Sequence, residues 1–433
     1  MLQAGSATVD ITPNKELELA GWAFGKSKGV LDPLYATCLI LKVSEKQPIV
    51  IISTDLIGIE RKYIVEIRNK INIKYSIPPK NIMISATHTH SGPSAVDLKD
   101  WGRIDDDYIS RLISEIVECT GKAIDNKQKA TIGYGKGLSS DKFIVNREKD
   151  QEIIDNQIGV LSVKDKNGGL IALVANYTCH PVGLHSVNNN LYSADYPGYI
   201  RKKLIQEIGK EVNFLFLNGA SGNINPEFVE PGGPVSKQEK TKEMGFELGE
   251  KILEINAEIN TEELKILAVK SEKFSLELQE LPSLPELKKE KNKWQQKLKN
   301  LSVCTDQEEK SRILLELEYL EKAINVRKKG QMIGEWEIEI QAIRINNFVL
   351  LGLPLEPYVQ PGLKIKEKSP FKYTFIVGLA NGAYSYLPVK SSFANKSYTA
   401  GGLAHKVYGI YLIKPDSAEK VVESAFQVLQ KLT

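Results

Sequence analysis

Only five histidines occur in the chain, His88, His90, His180, His185 and His405, and four of them fall in two short motifs that follow apolar, strand-like runs. The first motif is Ser85-Ala86-Thr87-His88-Thr89-His90-Ser91-Gly92-Pro93. If the strand continues through it, His88 and His90 share a face, because side chains alternate with period two. Gly-Pro then ends the strand and leaves both imidazoles at an edge. Two neutral imidazoles at a strand end suit a zinc ion; the alternative is a pair of hydrogen-bonded structural histidines. The second motif, Ala175 to His185, again follows an apolar run and places His180 directly after Cys179, with Asp195 downstream. Two such motifs in a histidine-poor chain favour one composite metal site. Alternation turns Cys179 to the opposite face, where it reads as a buried thiol. A third run, Asn218-Gly219-Ala220-Ser221-Gly222-Asn223-Ile224-Asn225-Pro226, is rich in small polar residues. Such loops let backbone amides approach a ligand closely, but this one matches no nucleotide-binding pattern, and a simple turn is the other reading. Two later motifs carry a carboxylate and two phenols: Glu356 sits between Pro354 and Pro357, and Tyr384 and Tyr386 lie in the loop that runs from Gly378 to Pro388.

These residues need a frame. Strand-like runs fall at 38–43, 48–53, 81–85, 158–163, 170–177, 213–217, 336–345 and 348–353, and helical spacing appears at 62–74, 107–123 and 196–208. Strands alternating with helices predict an α/β fold, a mixed β-sheet core flanked by helices. Residues 284–329 differ in character. They are rich in Lys, Glu and Leu, with apolar residues at gaps of three, four or seven on either side of a break at Cys304-Thr305-Asp306. This pattern predicts an antiparallel helical hairpin, possible as a cap or as a homo-oligomer contact. Strands resume after it, so a single domain over 1–433 with the hairpin inserted at 284–329 is expected.

Composition narrows the function. Lys and Arg number 57 against 54 Asp and Glu, a net charge of +3, and no Arg/aromatic stripe is visible, which argues against nucleic acid as a partner. No apolar run reaches the roughly 18 residues of a transmembrane helix. The N-terminus shows no secretory signal. The four cysteines, Cys38, Cys119, Cys179 and Cys304, lie far apart. Both features lead to the expectation of a cytoplasmic protein with reduced thiols.

Taken in order, these segments resemble the neutral/alkaline, non-lysosomal ceramidase family. The matching pieces are Val9-Asp10-Ile11-Thr12-Pro13, Asp32-Pro33-Leu34, Ser53-Thr54-Asp55-Leu56, the His88 motif, Asn146-Arg147, the His180 segment, the Asn218 to Pro226 loop, Leu353 to Pro357 and Asn381 to Pro388. The resemblance implies a zinc-dependent amidohydrolase holding one Zn²⁺ per chain through His88, His180, Glu356 and Tyr386. It implies that His90, Arg147 and Tyr398 meet the substrate carbonyl or the developing oxyanion, and that Asn223, Asn225 and Tyr384 lie on the substrate side. Tyr384 is also an alternative to Tyr386 as the phenol ligand. Two departures bear on substrate. Asn225 stands where well-studied members carry a serine, and a carboxamide cannot act as a nucleophile. The chain also stops at Thr433, without the C-terminal immunoglobulin-like domain of typical members. The expectation is hydrolysis of a linear amide in a small N-acyl compound other than ceramide. An esterase or lactonase with the same centre, and a non-catalytic protein that keeps the metal pocket, are the rival readings.

Overall fold

The structure is a computed structural model, and it describes the chain except residues 22–24, 45, 100, 149–151, 185–189, 230–236, 302–306, 331–333 and 396. His185 and Cys304 therefore lie outside the described residues. The first half runs β1 (Leu2–Asp10), β2 (Tyr35–Val43), β3 (Ile49–Thr54), α1 (Arg61–Tyr75), β4 (Ile82–Ala86), α2 (Asp106–Asp125), β5 (Gln128–Leu138), β6 (Ile144–Asn146), β7 (Gln157–Asp165), β8 (Leu170–Tyr177), α3 (Tyr196–Ile208), β9 (Phe214–Asn218), β10 (Ile224–Pro226) and α4 (Lys237–Glu258). The second half adds β11 (Leu267–Glu277), α5 (Leu284–Lys299), α6 (Gln307–Lys328), β12 (Glu335–Ile345), β13 (Phe348–Gly352), β14 (Glu356–Pro357), α7 (Val359–Lys368), β15 (Tyr373–Val377), β16 (Tyr386–Leu387), α8 (Lys390–Ala394), α9 (Leu403–Tyr408) and α10 (Ser417–Gln430).

An eight-stranded sheet in the order β4-β3-β2-β1-β5-β7-β8-β9 faces a four-stranded sheet, β11-β12-β13-β15. Most neighbours are antiparallel, but β3/β4, β8/β9 and β13/β15 are parallel pairs. Parallel neighbours need a crossover, and α1, α3 and α7 supply one each. This is the mixed α/β architecture expected from the alternation of strands and helices.

The core has four layers. Leu39, Leu41, Ile49, Ile51, Leu161 and Leu215 of the large sheet pack against Ile343, Phe348, Leu350 and Phe375 of the small one. Helices α1 and α2 cover the outer face of the β1–β4 half with Ile64, Ile67, Leu112 and Ile116. Helices α3 and α4 cover β7–β9 with Ile200, Leu204, Leu248 and Ile252. Helices α7 and α10 close the far side of the small sheet. Strand β3 shows how this is written in sequence. Val50 and Ile52 face the helices while Ile49 and Ile51 face the second sheet, so the strand reads as an unbroken apolar run rather than an alternation.

The hairpin connects β11 and β12, which pair with each other along their full length. A capping box starts α5, where the Ser283 backbone N–H donates to Glu286 at 2.8 Å. Leu287, Leu320, Ala323 and Ile324 fill the seam together with Trp294, Tyr319 and Ile410, so the apolar faces that prompted the oligomer expectation meet partners within the chain. Among the described residues, no helix is long and apolar enough to cross a membrane.

Candidate metal centre

Five of the predicted site segments lie at the C-terminal end of a strand belonging to a parallel pair, where α/β sheets commonly leave a crevice. His88 follows β4, His180 follows β8, the Asn218 loop begins at β9, Glu356 follows β13 and Tyr386 follows β15. The two edges of the large sheet meet here. Asn218, at the end of β9, donates from Nδ2 to the Thr87 carbonyl at 3.1 Å.

The histidine pair does meet, but by a different backbone route from the one alternation suggests. Strand β4 stops at Ala86, and His88 adopts φ +76°, a left-handed conformation uncommon for a residue with a Cβ. Hydrogen bonds from Thr87 N to Thr54 O and from His88 N to Leu56 O, both 2.8 Å, hold that turn. Nε2 of His90 then lies 3.4 Å from Nε2 of His88. Strain of this kind persists where the surroundings over-determine it, as at functional sites.

The Asn218 loop also works differently from a ligand-cradling turn: it offers carbonyls. His180 Nδ1 is 2.7 Å from the Ser221 carbonyl and 3.2 Å from that of Ile224. Arg147 donates from its backbone N to Asn223 O at 2.9 Å and from Nη2 to Gly222 O at 2.5 Å. Glu356 and Tyr386 are opposite partners in the short parallel ladder β14/β16, which sets them side by side.

The electrostatics point to a cation. His88 Nδ1 lies 2.7 Å from the Ile57 carbonyl and His180 Nδ1 is bound as above. A carbonyl can only accept, so both Nδ1 atoms carry the proton, and as neutral imidazoles both rings present a lone pair at Nε2. Those lone pairs face one buried carboxylate oxygen, Glu356 Oε2, at 3.2 Å from His88 and 3.0 Å from His180. Three acceptors converging without a donor repel one another, whereas a divalent ion satisfies all three. Burial and the nearby Arg147 push the His180 imidazole down to about 4 despite its contact with Glu356, so it is neutral at pH 7. The donor set therefore fits a metal. His90 stands beside it: the ring nitrogens of His88, His90 and His180 lie within 4.8 Å of one another.

Tyr386 stacks on His180 with ring centres 6.4 Å apart and shares a hydrogen bond with Arg147. Burial and the Glu356 charge push its phenol well above its ordinary value, against the pull of Arg147. The Arg147 guanidinium spans 5.4 Å to the Tyr386 ring and 5.5 Å to the ring of Tyr398, which is 41% exposed at the rim. Other predicted residues sit elsewhere. Tyr384 donates to the Glu337 carbonyl at 3.0 Å and lines a surface hollow with Arg61 and Trp336 rather than the histidine cleft, because its backbone is tied to Pro354 before β16 begins. Asn223 is fully buried and both of its donor bonds go to Asn146 and Gln360, so it braces the loop. Asn225 is half-buried in β10, opposite Val145. Cys179 is a buried thiol beside His180, outside the donor group.

The cleft over the histidines has a volume of about 20 Å³, room for about one water. Ile57, Leu98, Trp101, Val407 and Tyr408 wall it. Tyr408 was not among the expected site residues, yet its hydroxyl donates to Glu356 Oε1 at 2.5 Å. Close backbone approach fixes one more position. A Cβ on Gly222 would lie 2.5 Å from the Glu356 carbonyl oxygen and 2.9 Å from that of Pro357. Gly222→Ala is expected to push β14 from the loop, costing about 1–3 kcal/mol of stability by overpacking and weakening the binding of any ion held by Glu356. Thermal melts and zinc titration check this, with Gly334→Ala, where nothing lies within 4 Å, as the control that leaves both unchanged.

A buried cluster of imidazoles and a carboxylate at the strand ends of a mixed α/β fold forms a possible metal site. The profile described as neutral/alkaline non-lysosomal ceramidase, N-terminal, matches residues 2–229, and the chain belongs to that family. It is 23% identical over 439 residues to the neutral ceramidase of Pseudomonas aeruginosa, covering 87% of this chain and 64% of that protein, so the chain spans just under two thirds of its relative's length. The crystal structure of neutral ceramidase from Pseudomonas aeruginosa shares the fold at a TM-score of 0.74 and 20% identity, over 99% of this chain and 74% of that one. A structure of a ceramidase complexed with C2 gives 0.76 and 19%, with the same coverage.

Proposed function

We propose that the chain is a zinc-dependent hydrolase of linear amides, with a small N-acyl compound as substrate. The observation that carries this reading is the approach of His88 Nε2 and His180 Nε2 to one oxygen, Glu356 Oε2, at 3.2 and 3.0 Å. Tyr386, opposite Glu356 in its ladder, completes the proposed ligand set. A bound ion there would polarise a carbonyl and bring the pKa of a water to about 7. Arg147, which keeps its charge at any working pH, would meet the oxyanion from its seat on Gly222 and Tyr386. His90 is within reach to carry a proton to the leaving nitrogen. Tyr398, at the rim, would orient the substrate. The space walled by Ile57, Leu98, Trp101 and Val407 has room for the attacking water. Asn225, at the family's serine position, leaves water as the nucleophile and supports a substrate other than ceramide. Residues 1–433 act as one catalytic unit in this reading, since the hairpin leaves and returns on paired strands and its Leu315 packs beside Leu98 and Val407.

The test is turnover of matched N-acyl and O-acyl pairs by the zinc-loaded protein. Amide cleavage that a chelator abolishes and zinc restores is the expected result. Cleavage confined to the esters would establish an esterase instead, and one equivalent of bound zinc with no cleavage across the library would establish a binding protein.

A further inference from the structure

We propose that Tyr408 is a positioning residue for Glu356, and that the α5–α6 hairpin holds in place the short helix that delivers it. The proposal rests on the metal-site reading above. A carboxylate used through one oxygen can rotate and lose its aim unless the other oxygen is tied. Glu356 turns Oε2 to the histidines, and Oε1 accepts the Tyr408 hydroxyl at 2.5 Å. Hydrogen bonds of this type, one step outside the ligands, orient the donor atoms and tune metal affinity. The Tyr408 ring is itself braced edge-on against Tyr386, 6.0 Å away at 84°.

Helix α9, which carries Tyr408, has six residues and is bounded by Gly402 and Gly409, the latter at φ +144°. So short a helix cannot hold its place by its own hydrogen bonds, so its position comes from what it packs against. On the inner side, Val407 shares a cluster with Ile57 and Leu98 of the cleft and with Leu315 of α6. On the outer side, Lys406 Nζ bonds both oxygens of Glu316 at 2.7 Å, with the side chains 15% and 7% exposed. Lys406 also lies 5.1 Å from the Tyr319 ring, and His405 meets that ring edge-on at 5.7 Å. The hairpin thus reaches the metal centre through one helix and one hydroxyl.

Tyr408→Phe removes the hydroxyl and keeps the ring. The experiment is zinc affinity by competition with a chelating dye, together with kcat and KM on an N-acyl probe and the melting temperature of the zinc-free protein. The expected result is zinc affinity lower by about 10–100-fold, kcat lower with KM within about twofold, and an almost unchanged zinc-free melt. A second variant, Glu316→Gln with Lys406→Met, leaves no unpaired buried charge and should weaken zinc in the same direction. Its effect should be largely absent when Tyr408→Phe is already present. Zinc affinity within twofold of wild type in Tyr408→Phe would overturn the proposal even if the melt fell. Failure of the wild-type chain to take up zinc is a different result, one that removes the metal reading and this proposal with it.

Discussion

On the zinc-hydrolase reading proposed above, His180→Ala is expected to remove zinc and amide hydrolysis together while leaving the fold in place. The imidazole is buried at 1% exposure, but its Nδ1 is held by backbone, the carbonyls of Ser221 and Ile224, and the residue's backbone N–H donates to Ile224 O. Alanine keeps the backbone bond and loses only the ring. Zinc binding free energies of about 10–16 kcal/mol spread over four ligands come to about 3 kcal/mol each, so the variant should bind zinc at least about a hundredfold more weakly. At zinc concentrations that saturate the wild type it should be largely empty, with no measurable turnover. His88→Ala should behave alike, with one difference. His88 is held at φ +76°, a conformation histidine adopts more readily than alanine, so the variant should also lose some stability. Zinc content per chain after desalting, measured beside initial rates, decides the matter. One full equivalent of zinc retained by a His88→Ala, His180→Ala double variant would refute the ligand set.

Much of this was visible in the residues before any coordinates. Strand β8 and helix α3 match their predicted spans, and β3 and β13 fall within a residue or two, because strands buried on both faces are written as unbroken apolar runs. Two of the strands that escaped are packed tightly against a helix. Strand β1 reads Leu2-Gln3-Ala4-Gly5-Ser6-Ala7-Thr8, too small and polar to look like a central strand, because α2 presses on it: a Cβ at Gly5 would come within 2.1 Å of the Ala123 carbonyl oxygen. Strand β5 carries Gly133, Gly135 and Gly137 for the same reason, each facing Ile255 or Ile259 around the end of α4. In the centre, rarity made His88 and His180 legible. Glu356 and Tyr386 came from the family resemblance, since a lone carboxylate between prolines says little by itself. Tyr408 was illegible. It lies 52 residues from the carboxylate it contacts, in a segment with no motif, and only the tertiary packing of α9 brings the two together.

Glu356→Gln should raise the stability of the metal-free protein and lower that of the zinc-loaded one. In the metal-free wild type, Oε2 faces two lone pairs at 3.2 and 3.0 Å. A glutamine amide placed there donates one proton to each imidazole, while its oxygen still accepts from Tyr408. Satisfying buried groups left without partners is worth about 1–3 kcal/mol. Unfolding entropy of about 2.1 cal/mol/K per residue gives about 0.9 kcal/mol/K for this chain, so the chelator-treated variant should melt about 1–3 °C above wild type. Zinc at a thousand times its Kd adds about 4 kcal/mol, or about 4 °C, to the wild type and little to the variant, whose amide is a poor ligand. The order of melting temperatures therefore reverses on adding zinc. The comparison belongs at pH 7.5 to 8. His180 has a folded pKa of about 4, below its unfolded value of 6.5, so it favours folding above pH 6.5 and loses that contribution as pH falls towards 4. Above pH 7 it is neutral in both states and protonation adds nothing to the difference. If a proton rather than an ion normally sat between these three groups, the chelator-treated wild type would already be satisfied and the glutamine variant would melt no higher. Two curves that cross are thus the mark of a cluster built around a cation, and two that do not cross would reduce it to a buried hydrogen-bond network.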